Sequence, residues 1–195
     1  MERSPLTPLA IIRTAADLAD ADGFSEVTLS AVARAVDVRT PSLYSHVRDL
    51  AGLRDGITIL ALGELGDRAG DAIAGRAGHD ALRALCDAHR DYARAHPGRW
   101  ESLQRRAGDA VVRSDEAARS GRTLAAVLRG YGIAESDHVH ATRLVGSFLN
   151  GFLHLEHVGG FAHRAPSVDS SWTVLIDRLD GLLRHWHVED RKDPS

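Results

Sequence analysis

Apolar residues recur every three or four positions along most of this chain, the period of an α-helix with one buried face. Thr7-Pro8 pairs a helix cap with a proline at the first helical position. Ile11, Ile12, Ala15, Leu18 and Ala19 follow at helical spacing until Gly23 stops them. Thr28 is placed to cap a second, short helix carrying Leu29, Val32, Ala33 and Val36. Asp37-Val38 makes a turn, and Thr40-Pro41 repeats the cap-plus-proline signal for a third short helix ending near Val47. Asp49 caps a fourth, with Leu53, Ile57 and Leu60 on one face. Three helices in about 45 residues, the second and third tightly linked, form the helix-turn-helix pattern.

Beyond Gly63 the texture changes. Gly66, Gly70, Gly75 and Gly78 predict that the fourth helix frays or kinks. His79 to His96 reads as a helix with Leu82, Leu85, Ala88 and Tyr92 inward, ended by Pro97-Gly98. A short piece around Trp100 and Leu103 follows, then a helix near Asp115 to Tyr131 with Leu124 and Leu128 buried. The last two helices carry the clearest stripes. From Ser136 to Val158 the apolar positions are Val145, Phe148, Leu149 and Phe152. From Ser171 to His187 they are Trp172, Leu175, Ile176, Leu179, Leu182, Leu183 and Trp186. About 23 and 17 residues long, these helices span roughly 35 and 25 Å. The tail from Glu189 to Ser195 is polar and is expected to fray.

Composition agrees with an all-α fold. Hydrophobic residues make up 44% of the 195 and aromatics only 5%, with Ala, Leu and Arg abundant. The 24 Lys+Arg against 27 Asp+Glu, a net charge of −3, exclude a polybasic binder. The placement of charge matters more: Asp17, Asp20, Asp22 and Glu26 sit on or just after the first helix. Residues 30–48 carry Arg34, Arg39 and Arg48 against Asp37 alone, a local net of +2 that suits a focused nucleic-acid contact. The lone Cys86 excludes an internal disulfide or a cysteine-based zinc site. Arg13 and Asp17 interrupt any leader-like apolar region, and the run Ile57–Leu62 is too short to span a bilayer. A cytoplasmic protein with no membrane partner is expected.

Val27-Thr28, Val32-Ala33 and Val38-Arg39-Thr40-Pro41-Ser42-Leu43-Tyr44-Ser45-His46-Val47 together resemble the N-terminal DNA-binding domain of the TetR family of regulators. Gly23-Phe24 fits the same pattern, and the likeness covers about residues 9–60. Gly151-Phe152, Leu155-Glu156 and Gly159-Gly160-Phe161 are similar to the C-terminal domain of one TetR-like branch. The resemblance implies a three-helix DNA-binding domain over 1–50 and a larger helical effector-binding and dimerisation domain over 51–195. It implies a homodimeric, ligand-responsive regulator, a repressor released from a palindromic operator by a small molecule. No catalysis and no cofactor are expected.

On that reading Thr40, Pro41 and Ser42 enter the major groove: two hydroxyls able to pair with either base type and a ring for a thymine methyl. Arg39 reaches a guanine or a phosphate, and Tyr44 and His46 are the family's backbone-contacting pair. Thr28 offers a hydroxyl and a helix N-terminus to phosphate. The chain departs from the family at three points. Asp37 stands where the turn usually has glycine, Ser30 where an arginine is common, and Leu50 where a phosphate-contacting lysine is expected; Arg48 or Arg54 is the candidate replacement.

The middle helices offer an apolar effector pocket walled by Tyr92, Trp100, Leu103, Leu124, Leu128, Phe148 and Phe152, with His89 or His154 as polar anchors. In the family the last two helices build a four-helix bundle across a two-fold axis. That assigns Val145, Leu149, Trp172, Leu175, Ile176, Leu179 and Leu183 to the interface, with Gly146 and Gly151 permitting close approach. Two half-sites would lie roughly 34–36 Å apart or a multiple of it. Eleven histidines raise a metal reading, with His154 and His157 one helical turn apart and His138 and His140 earlier in the same helix. No metal-binding sequence motif accompanies them. Two alternatives stay open: a helical small-molecule-binding protein or enzyme with a degenerate helix-turn-helix, and a histidine-based metal-sensing regulator.

Overall fold

The structure is a computed structural model and describes residues 6–186. The polar tail expected to fray, Glu189 to Ser195, lies outside the described residues. Among them are ten α-helices and no strand: α1 Pro8–Asp22, α2 Leu29–Ala35, α3 Thr40–Leu43, α4 Leu50–Ile73, α5 Gly78–Ala95, α6 Pro97–Ser102, α7 Asp109–Val112, α8 Asp115–Arg129, α9 His138–His157 and α10 Val168–Arg184. None of these helices is long and apolar enough to cross a membrane.

The local signals act as their chemistry requires. Thr7 Oγ1 accepts the Ala10 N–H and Pro8 opens α1, while Gly23 closes it at φ 101°. Thr28 Oγ1 caps α2 through the Ala31 N–H at 3.2 Å. Thr40-Pro41 behaves differently: Arg39 holds the cap position without a side-chain bond, and Thr40 and Pro41 are the first two helical residues. The fourth helix runs through Gly66 and Gly70 and ends at Ile73, within the predicted glycine stretch and ahead of Gly75 and Gly78, both at positive φ. Leu53, Ile57, Ala61, Leu65 and Ala69 are all buried, a stripe with a period of four that holds the helix through Gly63, Gly66 and Gly70. The glycines cost about 1 kcal/mol each, and the packing of that stripe outweighs them. The last helix starts three residues before the expected Ser171, because Ser167 Oγ caps it by accepting the Ser170 N–H.

The chain divides into two compact units. Among the described residues the first comprises 6–67 and 91–120, the second 68–90 and 121–186. The first unit thus reaches past residue 50 and takes in α6 and α7. Its core is Ile11, Ala15, Ala19, Val32, Leu43 and Leu53 with their neighbours. α6 lies on α1 so closely that a Cβ on Gly98 would fall 1.9 Å from the Ala19 carbonyl oxygen.

The core of the second unit combines Leu82, Leu85 and Cys86 of α5, Leu128 of α8, Val145, Leu149 and Phe152 of α9, and Trp172, Ile176 and Leu183 of α10. Burial pushes the Cys86 thiol up to about 12, which leaves it protonated and inert. In α8 the deepest positions are Val127 and Leu128, with Leu124 only half-buried. Arg90 is buried here, its guanidinium 4.9 Å from the Trp172 ring and 5.7 Å from that of Phe152. It is held bidentately by Glu156 at 3.0 and 2.6 Å and lies 2.8 Å from Asp169.

Candidate nucleic-acid interface

The element from Thr40 to Val47 is built to present one face. α3 proper is a single turn, and the chain continues through it by hydrogen bonds from the His46 and Val47 N–H groups to the Leu43 carbonyl, both 2.9 Å. Leu43 and Val47, four residues apart, are buried in the first unit's core. The opposite side carries Pro41, Ser42 and Tyr44, all exposed, with Tyr44 at 57%; Thr40 and His46 are half-buried beside them. Thr28, Arg39 and Arg48 are exposed as well.

The turn before this element is held by Asp37, which adopts φ 54°. Most L-residues resist that conformation, and Asp resists it less than most because its short polar side chain bonds locally. The position usually filled by glycine therefore keeps its left-handed geometry, and the Val38 N–H closes on the Ala33 carbonyl at 2.9 Å.

The two arginines offered as substitutes for the missing lysine separate. Arg48 is 81% exposed, its Nε 3.1 Å from Asp49 Oδ2, and remains on the surface. Arg54 does not take that role. Its Nη2 donates to the Ser25 and Val27 carbonyls at 3.0 and 3.2 Å, and its guanidinium covers the Phe24 ring. It ties down the turn after α1. Leu50 is half-buried against the core, so its side chain leaves the surface that a lysine would reach from. Asp49 caps α4 by accepting the Gly52 N–H at 2.6 Å, and that backbone bond holds its carboxyl below the usual range. Ser30 Oγ lies 3.2 Å from Thr28 Oγ1.

Below this surface the first unit contains a charged lattice that sequence reasoning missed. Asp17 and Asp20 look like an acidic end of α1, yet Arg99 of α6 is bonded to both: its N–H donates to Asp20 at 2.9 Å and its guanidinium to Asp17. Glu64 lies 3.7 Å from the same guanidinium and accepts the Tyr92 hydroxyl at 2.9 Å. His96 Nδ1 is 3.0 Å from Asp20 Oδ2. Glu101 accepts the Phe24 N–H, and Arg105 pairs with Asp55 at 3.4 Å. The available sign was the pair of charges, Arg99 and Glu101, flanking Trp100 in a six-residue helix.

A family model described as "Tetracyclin repressor-like, C-terminal domain" matches residues 82–179. The HTH-type transcriptional regulator YobS of Bacillus subtilis (strain 168) is 31% identical over 183 residues, 93% of this chain and 95% of that protein. The chain belongs to the TetR family of transcriptional regulators. Solved structures share its fold. The regulatory protein SCO4313 superposes with a TM-score of 0.73 at 21% identity, over 89% of this chain and 95% of that one. The Streptomyces coelicolor TetR family protein ActR, in complex with actinorhodin, does so at 0.72 and 17% identity, over 92% and 97%.

For this TetR-family regulator the residues expected to wall the effector pocket divide between the two units. Tyr92, Trp100 and Leu103 belong to the first unit, while His89, Leu124, Leu128, Phe148, Phe152 and His154 belong to the second. Tyr92 and Leu128 are fully buried. His154 is exposed, and Phe152 lines a cavity with residues the sequence had not suggested.

The residues expected at the interface are placed as follows. Val145, Leu149, Trp172, Ile176, Leu179 and Leu183 are buried within the protomer. Of the seven only Leu175 is exposed, at 41%. The outward apolar positions from α9 to α10 are Val139, Leu155, Val158, Val174, Leu175 and Leu182. A Cβ on Gly146 or Gly151 would meet nothing within 4 Å.

Three histidines donate a ring N–H to a backbone carbonyl: His89 to Leu85, His138 to Ile133 and His185 to Gly181. Among the described residues no group of three or more His, Cys, Asp or Glu side chains is placed to hold a metal ion.

Proposed function

We propose that this protein is a homodimeric repressor that binds a palindromic operator and leaves it when a small-molecule effector binds. The observation that carries this is the Thr40–Val47 element, whose buried Leu43 and Val47 aim Pro41, Ser42 and Tyr44 outward over an intact left-handed turn at Asp37. In this reading Thr40, Pro41 and Ser42 read base edges. Thr28, Arg39, Tyr44, His46 and Arg48 hold the phosphates.

Residues 1–50 form the DNA-binding part and 51–195 the effector and dimer part, working in the cytoplasm without catalysis or cofactor. Dimerisation uses the outward residues of α9 and α10, Val174, Leu175 and Leu182 above all, with Gly146 and Gly151 admitting a close partner. The effector acts by population shift: it favours a spacing of recognition elements that mismatches the operator, transmitted by α4.

Selection of binding sites from random duplexes tests the reading. A palindrome is expected, whereas recovery of unrelated sequences alone sinks the repressor. On the selected site, Tyr44→Ala and His46→Ala should weaken binding alike for every operator variant. Thr40→Ala or Ser42→Ala should change base preference, by about 1 kcal/mol at the position read. Unchanged preference in both would remove them from the groove.

A further inference from the structure

In the first unit a cavity of about 420 Å³ lies between α1, the middle of α4 and the first turns of α8. This size falls among small-molecule pockets. Its lining comes from those three helices and leaves out α9 and α10, the helices assigned to the dimer. Two glycines of α4, seven residues apart on one face, floor it. A Cβ on Gly56 would fall 2.8 Å from Ile12 Cδ1, and one on Gly63 would fall 3.3 Å from Glu116 Cγ. Leu9, Ile12, Ile59 and Leu60 make the wall apolar.

The charged lining residues are three carboxylates, Glu64, Asp67 and Glu116, against Arg13 and Arg119. They are unequally satisfied. Asp67 lies 3.0 Å from Arg119. Glu64 accepts the Tyr92 hydroxyl and has Arg99 at 3.7 Å. Glu116 has Arg119 at 3.9 Å, beyond hydrogen-bond reach, and among the described residues it accepts no hydrogen bond. Its side chain is only 32% exposed, with Cγ over the glycine floor. Arg13 on α1 has no ion-pair partner among the described residues, but it is exposed and solvated by water.

We infer that this cavity is a binding site for a small amphipathic organic cation. The apolar body lies against Leu9, Ile12, Ile59 and Leu60, and an ammonium takes the acceptor that Glu116 leaves open. Glu64 and Asp67 add to the negative field there. An anion would gain only the solvated Arg13 and would meet three carboxylates in the same lining. Such an occupant touches α1 of the DNA-binding part and α4 together. As an effector site the cavity rests on the regulator reading above; as a binding site it stands on its own geometry.

Titration calorimetry of the full chain at neutral pH with 2-naphthylmethylamine, protonated there, and its neutral isostere 2-naphthylmethanol tests the inference. One amine per chain is expected, bound about tenfold more tightly than the alcohol. Glu116→Gln should abolish that difference and leave alcohol binding unchanged. Leu9→Gln, at an exposed position, should weaken both about fivefold. Equal affinity for amine and alcohol overturns the inference, as does failure of the parent to bind either. So does an E116Q or L9Q protein that binds the amine like the parent, which would place the amine elsewhere. Tighter binding of 2-naphthoate than of the amine overturns it too, by assigning the cavity to an anion at Arg13. Operator binding with and without the amine separates the two readings. Amine binding that leaves operator affinity unchanged ends the effector role alone, and absence of specific DNA binding ends the regulator while calorimetry still supports the site.

Discussion

Asp37 and His89 show how single residues carry fold and pH response. At φ 54° Asp37 occupies a conformation that β-branched residues resist strongly. Asp37→Val should be less stable than Asp37→Gly by about 1–2 kcal/mol in urea denaturation, and equal stabilities would show that the turn relaxes freely. His89 is half-buried on α5, and desolvation holds its pKa below the ordinary 6.5 despite the bond to the Leu85 carbonyl. The unfolded chain therefore takes up this proton first as the pH falls. The stability tied to neutral His89 is complete above 6.5 and is lost as the pH drops through the lowered folded value. Comparison of unfolding free energies at about pH 7.5 and about pH 5 should show a smaller acid loss in His89→Gln than in the parent. The same loss in both would assign the acid sensitivity to other groups.

At the scale of elements, the contact of α6 with α1 is the most constrained in the first unit. Placed in a helix, alanine ordinarily gains about 1 kcal/mol over glycine. At Gly98 the added Cβ would meet the Ala19 carbonyl at 1.9 Å, and backbone cannot move aside as a flexible side chain does. Gly98→Ala should therefore destabilise by about 2–3 kcal/mol, measured by chemical denaturation. A neutral or stabilising result would mean that α6 does not hold this position in solution. The packing of α6 also ties down the acidic side chains of α1: Asp17 and Asp20 are both bound to Arg99. Sequence showed these aspartates and Arg99 some 80 residues apart, and nothing local joins them.

For the whole molecule, the decisive surface is the outward side of α9 and α10. Leu182 is 58% exposed, so Leu182→Glu should leave the protomer folded and halve the mass seen in sedimentation. A dimer that persists moves the interface elsewhere. Ile176, with no exposure, provides the contrast: a charge there removes the fold itself. The periodicity showed that α10 has apolar positions around more than one face, but it could not rank them. Trp172, Ile176, Leu179 and Leu183 went to the protomer's own core and Leu175 and Leu182 to its surface.

By itself the sequence determined what depends on near neighbours along the chain. Caps at Thr7 and Thr28, the stop at Gly23, the turn at Asp37, and the inward Leu43 and Val47 are all read from residues at most four apart. The outward side of the Thr40–Val47 element was legible for the same reason, because a buried i, i+4 pair leaves its opposite side to solvent. Tertiary structure alone decided the Arg99 lattice, the capture of Arg54 by the turn after α1, the persistence of α4 through its glycines, and which leucines of α10 stay outside. Those outcomes depend on burial against distant segments, and burial is a property of the packed chain that no window of sequence contains.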